Sequence, residues 1–446
     1  MVFSAASLHA VLDAHVPQQA RGLVVALSGG ADSAALLGAA AALGANFRGL
    51  PVRAVHIDHG LQAAAAEFRA SCAALCDRLS VPLTIISISV DAPAGTSLEA
   101  AARDARYQAL ATALAPRECL LTAHHREDQA ETLLLQALRG AGVKGLSAMP
   151  ICRILGLGWH VRPLLDVPQS ELLRFGAHLA GLKSPDPMNQ DLRFDRSFLR
   201  GQIWPMLVER WPGAGLALSR TARHMAEAQV LLDAAAAANL SSLRDGEALL
   251  VPGLRALPPL QRLNAVRFWL CEAEVDAPSA ARLSEALRQV LEAEADQLPA
   301  VVWGSSALRR YRHRLFLTAA APPRLEAPRH WAVGAGSRLD LGPELGSLTW
   351  VPQTGGIAAE RLPESLIVRR RNGGETLKPK PTARTQSVQH LCQSRGVLPW
   401  MRDALPLIFA GDALIAVADL WEDAHCSAAA GSPGLAVEWR DAPVIV

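Results

Sequence analysis

The alternation of β-type and helical patterns over residues 1–140 limits the fold of this chain more than any other feature. The apolar runs that predict strands lie at residues 23–27, 52–57, 83–90 and 119–122. Because each run is followed by a helical pattern, we predict a parallel sheet covered by helices. Ligands bind at the carboxyl ends of such strands, so we expect Ser28, Asp58 and His124 to lie at one edge of the sheet.

Length and pattern predict two further domains after this α/β domain. At about 150 residues per domain, 446 residues suggest about three domains. Residues 214–297 have a helical pattern, residues 308–318 alternate like a half-exposed strand, residues 319–328 resemble a proline-rich linker, and a helix is expected at 384–395. The predicted domains are an α/β catalytic domain at 1–205, a mainly helical domain at 206–320 and a small α+β domain at 329–446.

Cysteine usage and charge argue against several classes of protein. The seven cysteines are scattered and include no Cys-x-x-Cys pair, which disfavours a disulfide framework or a zinc ribbon and fits a reducing cytoplasm. A net charge of +2 does not by itself predict a polyanionic partner. The longest apolar stretch, residues 34–45, is too short for a membrane helix of about 20 residues. Since Arg21 is the first basic residue, we also expect no signal peptide.

The segment from residue 28 to residue 33 carries the sharpest chemical signal. It reads Ser28, Gly29, Gly30, Ala31, Asp32 and Ser33, and it joins a predicted strand to a predicted helix. Glycines allow close backbone approach, and amides at a helix N-terminus favour phosphate. The segment lacks the Gly-Lys-Ser/Thr of a Walker A loop. It resembles the PP-loop of ATP pyrophosphatases, which cleave ATP between the α- and β-phosphates; the alternative is a turn in which Asp32 or Ser33 caps the helix.

A second segment, residues 122–132, places carboxylates near the start of a predicted helix. An apolar stripe is expected along that helix at Ala130, Leu133, Leu134, Ala137 and Leu138. Asp128, Glu131 and Thr132 lie off the stripe. The two carboxylates could hold magnesium beside phosphates or orient a nucleophile, or they could simply favour the positive end of the helix dipole.

Two further segments allow both functional and structural interpretations. Residues 56–61, His-Ile-Asp-His-Gly-Leu, are expected to line an adenosine pocket rather than to bind a metal, because no Cys or His cluster has zinc spacing. In residues 96–107, Thr96 and Glu99 form a capping-box pattern. Arg103 could pair with Glu99 on the surface, or Arg103 or Arg106 could reach phosphates or nucleic acid.

These segments, in this order, resemble the tRNA(Ile)-lysidine synthetases of the PP-loop family. The narrowest part of the match is His124-His125-x-x-Asp128-Gln129-x-Glu131-Thr132. At Gln62 and Met188 the chain departs from the family pattern, and we assign neither a role. Other matching segments lie at residues 138–140, 145–149, 162–165, 186–200, 368–375 and 398–403.

The resemblance implies a fold and a reaction. The fold would be a Rossmann-like PP-loop domain of the adenine nucleotide alpha hydrolase type, followed by a helical middle domain and a small α+β domain. The enzyme would be a cytoplasmic ligase that forms a carbon–nitrogen bond. ATP would adenylate C2 of the wobble cytidine in the CAU anticodon of tRNA(Ile), and the ε-amine of free L-lysine would displace AMP to leave lysidine. The tRNA would then read AUA instead of AUG and carry isoleucine instead of methionine.

The resemblance also implies roles for particular residues. ATP would bind at residues 28–33, with Mg²⁺ at Asp32, and a homodimer is possible. The residues expected in catalysis are Asp32, Arg106, His124, Asp128 and Glu131. Basic segments at 193–223 and 361–384 fit contacts to tRNA phosphates. The residues expected to contact tRNA are Arg196, Arg200, Arg369, Arg370, Arg371 and Lys378.

Three other functions compete with this interpretation. A PP-loop tRNA thiolase would carry sulfur on cysteines, but Cys72 and Cys76 lie within a helical pattern and Cys119 lies at the start of a strand. A synthetase of the amidotransferase type would need an N-terminal cysteine, which Met1 does not supply. A nucleotide-binding module without chemistry is disfavoured by the carboxylates in residues 128–131.

Overall fold

A computed structural model describes residues 2–58, 65–89, 98–177, 179, 192–294, 297–429 and 431–445. The chain divides into two compact units, Met1–Leu232 and Asp233–Val446. Within these described ranges, no helix combines the length and the apolar character needed to span a membrane.

The first unit is built on a six-stranded sheet, which confirms the predicted α/β class. Its strands are β1 Gly22–Ala26, β2 Val52–Asp58, β3 Leu83–Ser87, β4 Glu118–Leu121, β5 Cys152–Leu155 and β6 Gly158–Val161. The strand order is β3-β2-β1-β4-β6-β5, and only the β5–β6 pairing is antiparallel. The chain progresses outward from β1 to β3 and then returns to β4 on the other side of β1. The carboxyl ends of β1 and β4 therefore flank a topological switch point, where open α/β sheets bind their ligands.

Helices cover both faces of this sheet. The helices of the first unit are α1 Ala5–His15, α2 Ala31–Leu43, α3 Ala65–Leu79, α4 Leu98–Ala113, α5 Arg126–Leu138, α6 Val143–Leu146, α7 Gln169–Gly176, α8 Asp195–Phe198 and α9 Trp204–Arg210. Because side chains alternate along a strand, Leu23 and Val25 pack with residues of α1, α2, α3 and α7. Val24 instead packs with Leu110 of α4 and with Leu114. Burial on both faces makes β1 a continuous apolar run.

Helix α10, Ala214–Leu243, is followed in the second unit by helices packed on an antiparallel sheet. The helices are α11 Val251–Ala256, α12 Pro259–Glu272 and α13 Ala280–Glu292. The strands are β7 Arg244–Asp245, β8 Ala248–Leu250, β9 Ala300–Trp303, β10 Ser306–Tyr311 and β11 Arg314–Ala319, in the order β7-β8-β11-β10-β9. Trp269 of α12 and Leu308 of β10 belong to the shared core.

The rest of the second unit is a small α+β region, as predicted. Its strands are β12 Arg329–Ala332, β13 Arg338–Gly342, β14 Gly346–Thr354, β15 Ser365–Arg369, β16 Thr376–Leu377, β17 Gln386–Ser387, β18 Leu407–Ala410, β19 Ala413–Val417, β20 Trp421–Glu422 and β21 Pro433–Arg440. They form sheets of five (β12-β15-β18-β19-β20), three (β13-β14-β21) and two (β16-β17) strands. Helix α14, Val388–Arg395, packs on the core, in which Trp331 and Trp350 stack at 4.4 Å.

Three local predictions were wrong. Residues 308–318 form the hairpin β10–β11 instead of one strand, since Arg312 turns the chain at φ 55°. The predicted helix at 384–395 begins only at Val388, because the Ser387 side chain caps it by accepting from the His390 amide. The apolar stripe predicted on α5 ends before Leu138, which is 80% exposed. Asp128 and Glu131 are buried although they lie off that stripe.

Candidate active site

The PP-loop is a tight turn that its own side chains hold in place. Gly29 has a φ of 87°, which favours glycine, and a Cβ there would come within 2.8 Å of Phe68. The Ser33 hydroxyl donates to the Gly30 carbonyl (2.9 Å) and lies 3.1 Å from the Ser28 hydroxyl. Gly30 is the N-cap of α2 and makes no side-chain capping bond. The first-turn amides of α2 are therefore available to an anion.

A cavity of about 330 Å³ opens beside this loop. Its walls combine the PP-loop with residues of β2, residues that follow β4, residues on α4 and α5, and Arg200. The residues that line it include Ser28, Gly30, Asp32, Ser33, Ile57, Arg106, Tyr107, Thr122, His124, Asp128 and Arg200. The expected meeting of the β1 and β4 ends at one site is confirmed.

Asp32 and His125 connect the loop to the start of α5. Asp32 accepts a hydrogen bond from the Gln169 amide (3.1 Å) and lies 3.7 Å from His125 Nε2. His125 also lies 3.1 Å from Glu127 and 3.4 Å from Asp128. Burial alone would lower the pKa of His125, but the three carboxylates raise it above its usual value. The three carboxylates therefore favour the protonated form of His125, in which the ring can link Asp32 to the start of α5.

Four side chains, which we name the charge quartet, form a second cluster: Asp128, Glu131, Arg196 and Arg200. Arg200 donates to Glu131 through Nε and Nη2, both at 2.7 Å, and Arg196 Nε donates to it at 3.0 Å. Both guanidiniums also donate to Asp128 Oδ1 at 2.8 Å. Burial alone would raise the pKa of Asp128, but His125 and Arg196 lower it to about 2. Asp128 is therefore ionised at neutral pH, where it accepts hydrogen bonds from both guanidiniums.

Arg106 and His124 place two further polar groups at the cavity. Burial lowers the pKa of the Arg106 guanidinium, which also lies over the Tyr107 ring at 5.7 Å. Burial lowers the pKa of His124 to about 3, and the charges of Arg162 and Arg196 act in the same direction. His124 is therefore neutral at physiological pH, and its pKa is shifted in the opposite direction to that of His125.

The loop offers one oxygen that fits a magnesium ion. Asp32 Oδ1 is buried and has no hydrogen-bond partner among the described residues. Mg²⁺ commonly uses one or two carboxylates together with waters and substrate phosphates, so a single buried carboxylate beside a phosphate-binding loop suits it. In the described parts of the chain, no three His, Cys, Asp or Glu side chains gather as ligands for a metal held by protein alone.

Comparison with known proteins decides the family. Residues 4–207 match the PP-loop domain, residues 249–316 the TilS substrate binding domain and residues 366–439 the TilS substrate C-terminal domain. The chain is 40% identical to the tRNA(Ile)-lysidine synthase of Alkalilimnicola ehrlichii over 90% of both chains. It is 37% identical to that of Nitrosomonas europaea, covering 95% of this chain and 92% of the relative. This chain belongs to the tRNA(Ile)-lysidine synthase family.

The family assignment agrees with where the first unit places the predicted catalytic residues. Asp32, Arg106, His124 and Asp128 line one cavity, and Glu131 joins Asp128 in the charge quartet. Arg196 and Arg200, which we expect to contact tRNA, donate hydrogen bonds to these carboxylates. Their roles, like those of the other site residues, remain predictions.

In the second unit of this synthase-family chain, the predicted tRNA contacts have unequal surroundings. Arg369 pairs with Glu375 at 3.1 Å and lies 3.9 Å over the Phe409 ring. Arg371 pairs with Asp403 at 3.3 Å. Arg370 is exposed. Among these arginines, Arg370 is the one most available to a phosphate.

Some sequence predictions fall outside the described residues. These are the capping residue Thr96, the side chain of Glu99, the loop residues His59 to Gln62, and residues 184–189 with Met188.

Sequence reasoning missed four residues that hold this site together: Thr122, His125, His160 and Gln169. The first two were quoted within the motif but were given no role. Gln169 and His160 lie outside every motif, and only the fold brings them to Asp32 and Thr122. No local pattern could have identified them.

Proposed function

We propose that this protein joins L-lysine to C2 of the wobble cytidine of a tRNA(Ile) with a CAU anticodon, at the expense of ATP. The reaction passes through adenylated tRNA, releases pyrophosphate and then AMP, and changes the codon read from AUG to AUA. One observation carries the proposal. A PP-loop shares a single cavity with Arg106, His124 and Asp128, in a chain 40% identical over 90% of its length to a tRNA(Ile)-lysidine synthase.

In the first step, the cytidine C2 oxygen attacks the α-phosphorus of ATP and the bond to the β-phosphate breaks. The amides at the start of α2 would hold the leaving pyrophosphate, since a helix N-terminus binds anions. The Arg106 guanidinium lines the same cavity and would offset charge that develops on the phosphates.

Asp32 would hold Mg²⁺ through its unpartnered Oδ1. Such an ion offsets negative charge on the phosphates. Burial raises the pKa of Asp32, so a bound cation would stabilise the ionised form of this carboxyl group.

In the second step, the ε-amine of lysine attacks C2 and the C2–O bond to AMP breaks. The charge quartet offers two carboxylates and two guanidiniums side by side, which complement the ammonium and the carboxylate of an amino acid. Asp128, with its pKa near 2, is a weak base. We therefore assign Asp128, which lines the cavity, to anchoring the α-ammonium group of lysine rather than to accepting the proton that the ε-ammonium group loses. Glu131, which is buried and bonded to both guanidiniums, would position Arg196 and Arg200 around Asp128.

The tRNA would be held through its phosphates by exposed basic residues. Arg370, which is exposed, is the leading candidate, and Lys378 follows eight residues later in the sequence. Such phosphate contacts supply affinity without reading bases. We also retain a cytoplasmic location and a homodimer as predictions. None of the seven cysteines, all of which lie in described segments, forms a disulfide, which suits a reducing compartment. Light scattering of the purified protein would give its oligomeric state.

The direct test measures three products with purified tRNA(Ile), ATP and labelled lysine: pyrophosphate, AMP and lysidine identified by nucleoside mass spectrometry. Asp32→Asn should abolish pyrophosphate release while the protein stays folded. The matched control is Asp13→Asn, an exposed aspartate in the same unit that pairs with Arg48. Retention of more than about a tenth of the rate in Asp32→Asn, a barrier change under about 1.4 kcal/mol, would remove Asp32 from the mechanism. Absence of lysidine with the wild-type protein would refute the function itself.

A further inference from the structure

A chain of hydrogen bonds leads from the cavity into the buried sheet and ends at a histidine with no assigned role. Thr122 Oγ1 lies 2.7 Å from His124 Nδ1 and 2.8 Å from His160 Nε2. His160 is on β6, paired with Leu120 of β4, and is fully buried. Its other nitrogen, Nδ1, is buried without a partner among the described residues. In the same ranges, no protein group hydrogen-bonds to His124 Nε2.

The Thr122 hydroxyl has one proton, so the hydrogen bonds that link His160, Thr122 and His124 can be directed in only three ways. In the first, His160 Nε2–H donates to Thr122, Thr122 donates to His124 Nδ1, and His124 carries its proton on Nε2. In the second, every bond is reversed, and His160 carries a buried Nδ1–H that has no acceptor. In the third, both histidines donate to Thr122, whose own proton is then left without an acceptor.

The surroundings of His160 favour the first arrangement. A buried N–H without an acceptor is costly and rare, and only the first arrangement leaves no donor unpaired within the chain of bonds. The arginine cations that act on His160 are Arg162, Arg153 and Arg103, and the Tyr107 ring lies at 5.6 Å. Such surroundings favour a bare ring nitrogen over an N–H at Nδ1. Burial and these cations lower the pKa of His160 to about 2, so the ring stays neutral.

We infer that His160 and Thr122 are positioning residues that fix His124 as the Nε2–H tautomer, so that His124 donates a hydrogen bond into the cavity and does not act as a base. The inference rests on the proposed function for the ligand, which would be a phosphate oxygen of ATP. A neutral donor fits an oxygen on which negative charge increases as pyrophosphate leaves. It also removes His124 from the candidates that could accept the lysine proton.

The tautomer can be read directly on the wild-type protein without any substrate. Nitrogen-15 spectra of histidine-labelled protein distinguish a protonated from a bare ring nitrogen, and a His124→Gln variant assigns the resonance. We expect Nε2 of His124 to be protonated and Nδ1 bare between pH 6 and 8. A bare Nε2, or an imidazolium at pH 6, would overturn the inference. This readout does not depend on whether the protein makes lysidine, so its failure and the failure of the proposed function are distinguishable.

Variants then test the relay and its effect on the reaction. His160→Phe and Thr122→Val remove the two links and should abolish the single tautomer of His124. His160→Gln and Thr122→Ser keep a donor and a hydroxyl and should preserve it. We expect kcat for pyrophosphate release to fall at least about tenfold in the first pair and to change less than about threefold in the second, with KM for ATP little changed. If one variant of the first pair does not fold, the other decides. Equal rates in the two pairs, or an unchanged His124 resonance in the first pair, would refute the relay.

Discussion

Replacing Glu131 by glutamine should destabilise the first unit, because the substitution removes the charge of the most deeply buried member of the charge quartet. The Glu131 carboxylate is 1% exposed and accepts three hydrogen bonds, of 2.7, 2.7 and 3.0 Å, from two guanidiniums. Glutamine keeps the shape but brings an amide N–H₂ toward donors that need acceptors. Within the quartet, only Asp128 would then offset the positive charge of the two guanidiniums.

The expected loss follows from burial. Breaking a buried ion pair from one side costs about 3–5 kcal/mol. Arg196 and Arg200 are 23% and 39% exposed, so water can solvate part of their charge, and the lower figure of about 3 kcal/mol applies. For a unit of this size, that corresponds to a fall in Tm of about 6 to 12 °C.

Thermal unfolding followed by circular dichroism measures the effect, and the chain offers a matched control. Asp195→Asn removes the charge of a neighbouring carboxylate whose partner, Arg139, lies 3.6 Å away in an exposed pair. It should leave Tm within about 1 °C of the wild type, since exposed pairs contribute little. If Glu131→Gln lowers Tm no more than Asp195→Asn does, the quartet does not stabilise the fold in the way we argue.

Three further predictions concern pH, sulfur and RNA. The pKa of Asp128 is lowered to about 2, so the contribution of its ionised form to the free energy of unfolding is complete above about pH 4 and is lost as the pH falls through 2. Asp128→Asn should therefore flatten the acid limb of a curve of stability against pH. An unchanged acid limb would contradict this. Replacing all four cysteines of the first unit by alanine should leave lysine incorporation into tRNA intact, because burial raises the pKa of the Cys72 and Cys119 thiols to about 12; labelled sulfur in the tRNA would instead favour a thiolase. Arg370→Ala should weaken tRNA binding, reduce the slope of log affinity against log salt concentration by about one and leave ATP affinity unchanged. Arg369→Ala should mainly lower Tm. If filter binding shows that Arg369→Ala weakens tRNA binding and Arg370→Ala does not, Arg370 is excluded as the phosphate contact.

Sequence could predict the PP-loop because its determinants are local. A buried strand, a glycine that needs positive φ and a helix start lie within residues 22–33, and together they fix where the amides of α2 point. The order of the βα units, with the rule that ligands bind beyond strand ends, was enough to bring Ser28 and His124 to one edge.

The charge quartet could not be predicted because its partners are distant in sequence. Arg196 and Glu131 are 65 residues apart, and Arg200 and Asp128 are 72 apart. Within its own segment, the two carboxylates or the two arginines are spaced as exposed charges often are. The sequence therefore favoured a solvated or RNA-binding surface for the arginines. The four side chains form one cluster only because α8 and the helical residues that follow it, Leu199–Ile203, approach α5 in the fold.

The hairpin β10–β11 shows a limit of periodicity. Both strands mix arginines with apolar residues, and we therefore interpreted the two strands as one. The turn is made by Arg312 at positive φ, a conformation that is uncommon for arginine and that no Gly or Asn marks in the sequence.

The two adjacent histidines of the motif show how the fold assigns different chemistry to identical side chains. Backbone geometry turns them apart: His125 caps α5 among three carboxylates, and His124 precedes the helix beside Thr122 and the cavity. The pKa of His125 is raised by its carboxylates, while burial lowers that of His124 to about 3. Protonation is therefore favoured at His125, which lies between the PP-loop aspartate and the start of α5, whereas His124 is a neutral group whose proton position depends on its partners. Because the surroundings of each ring include residues distant in sequence, the motif alone identifies the site without revealing which histidine is protonated more easily.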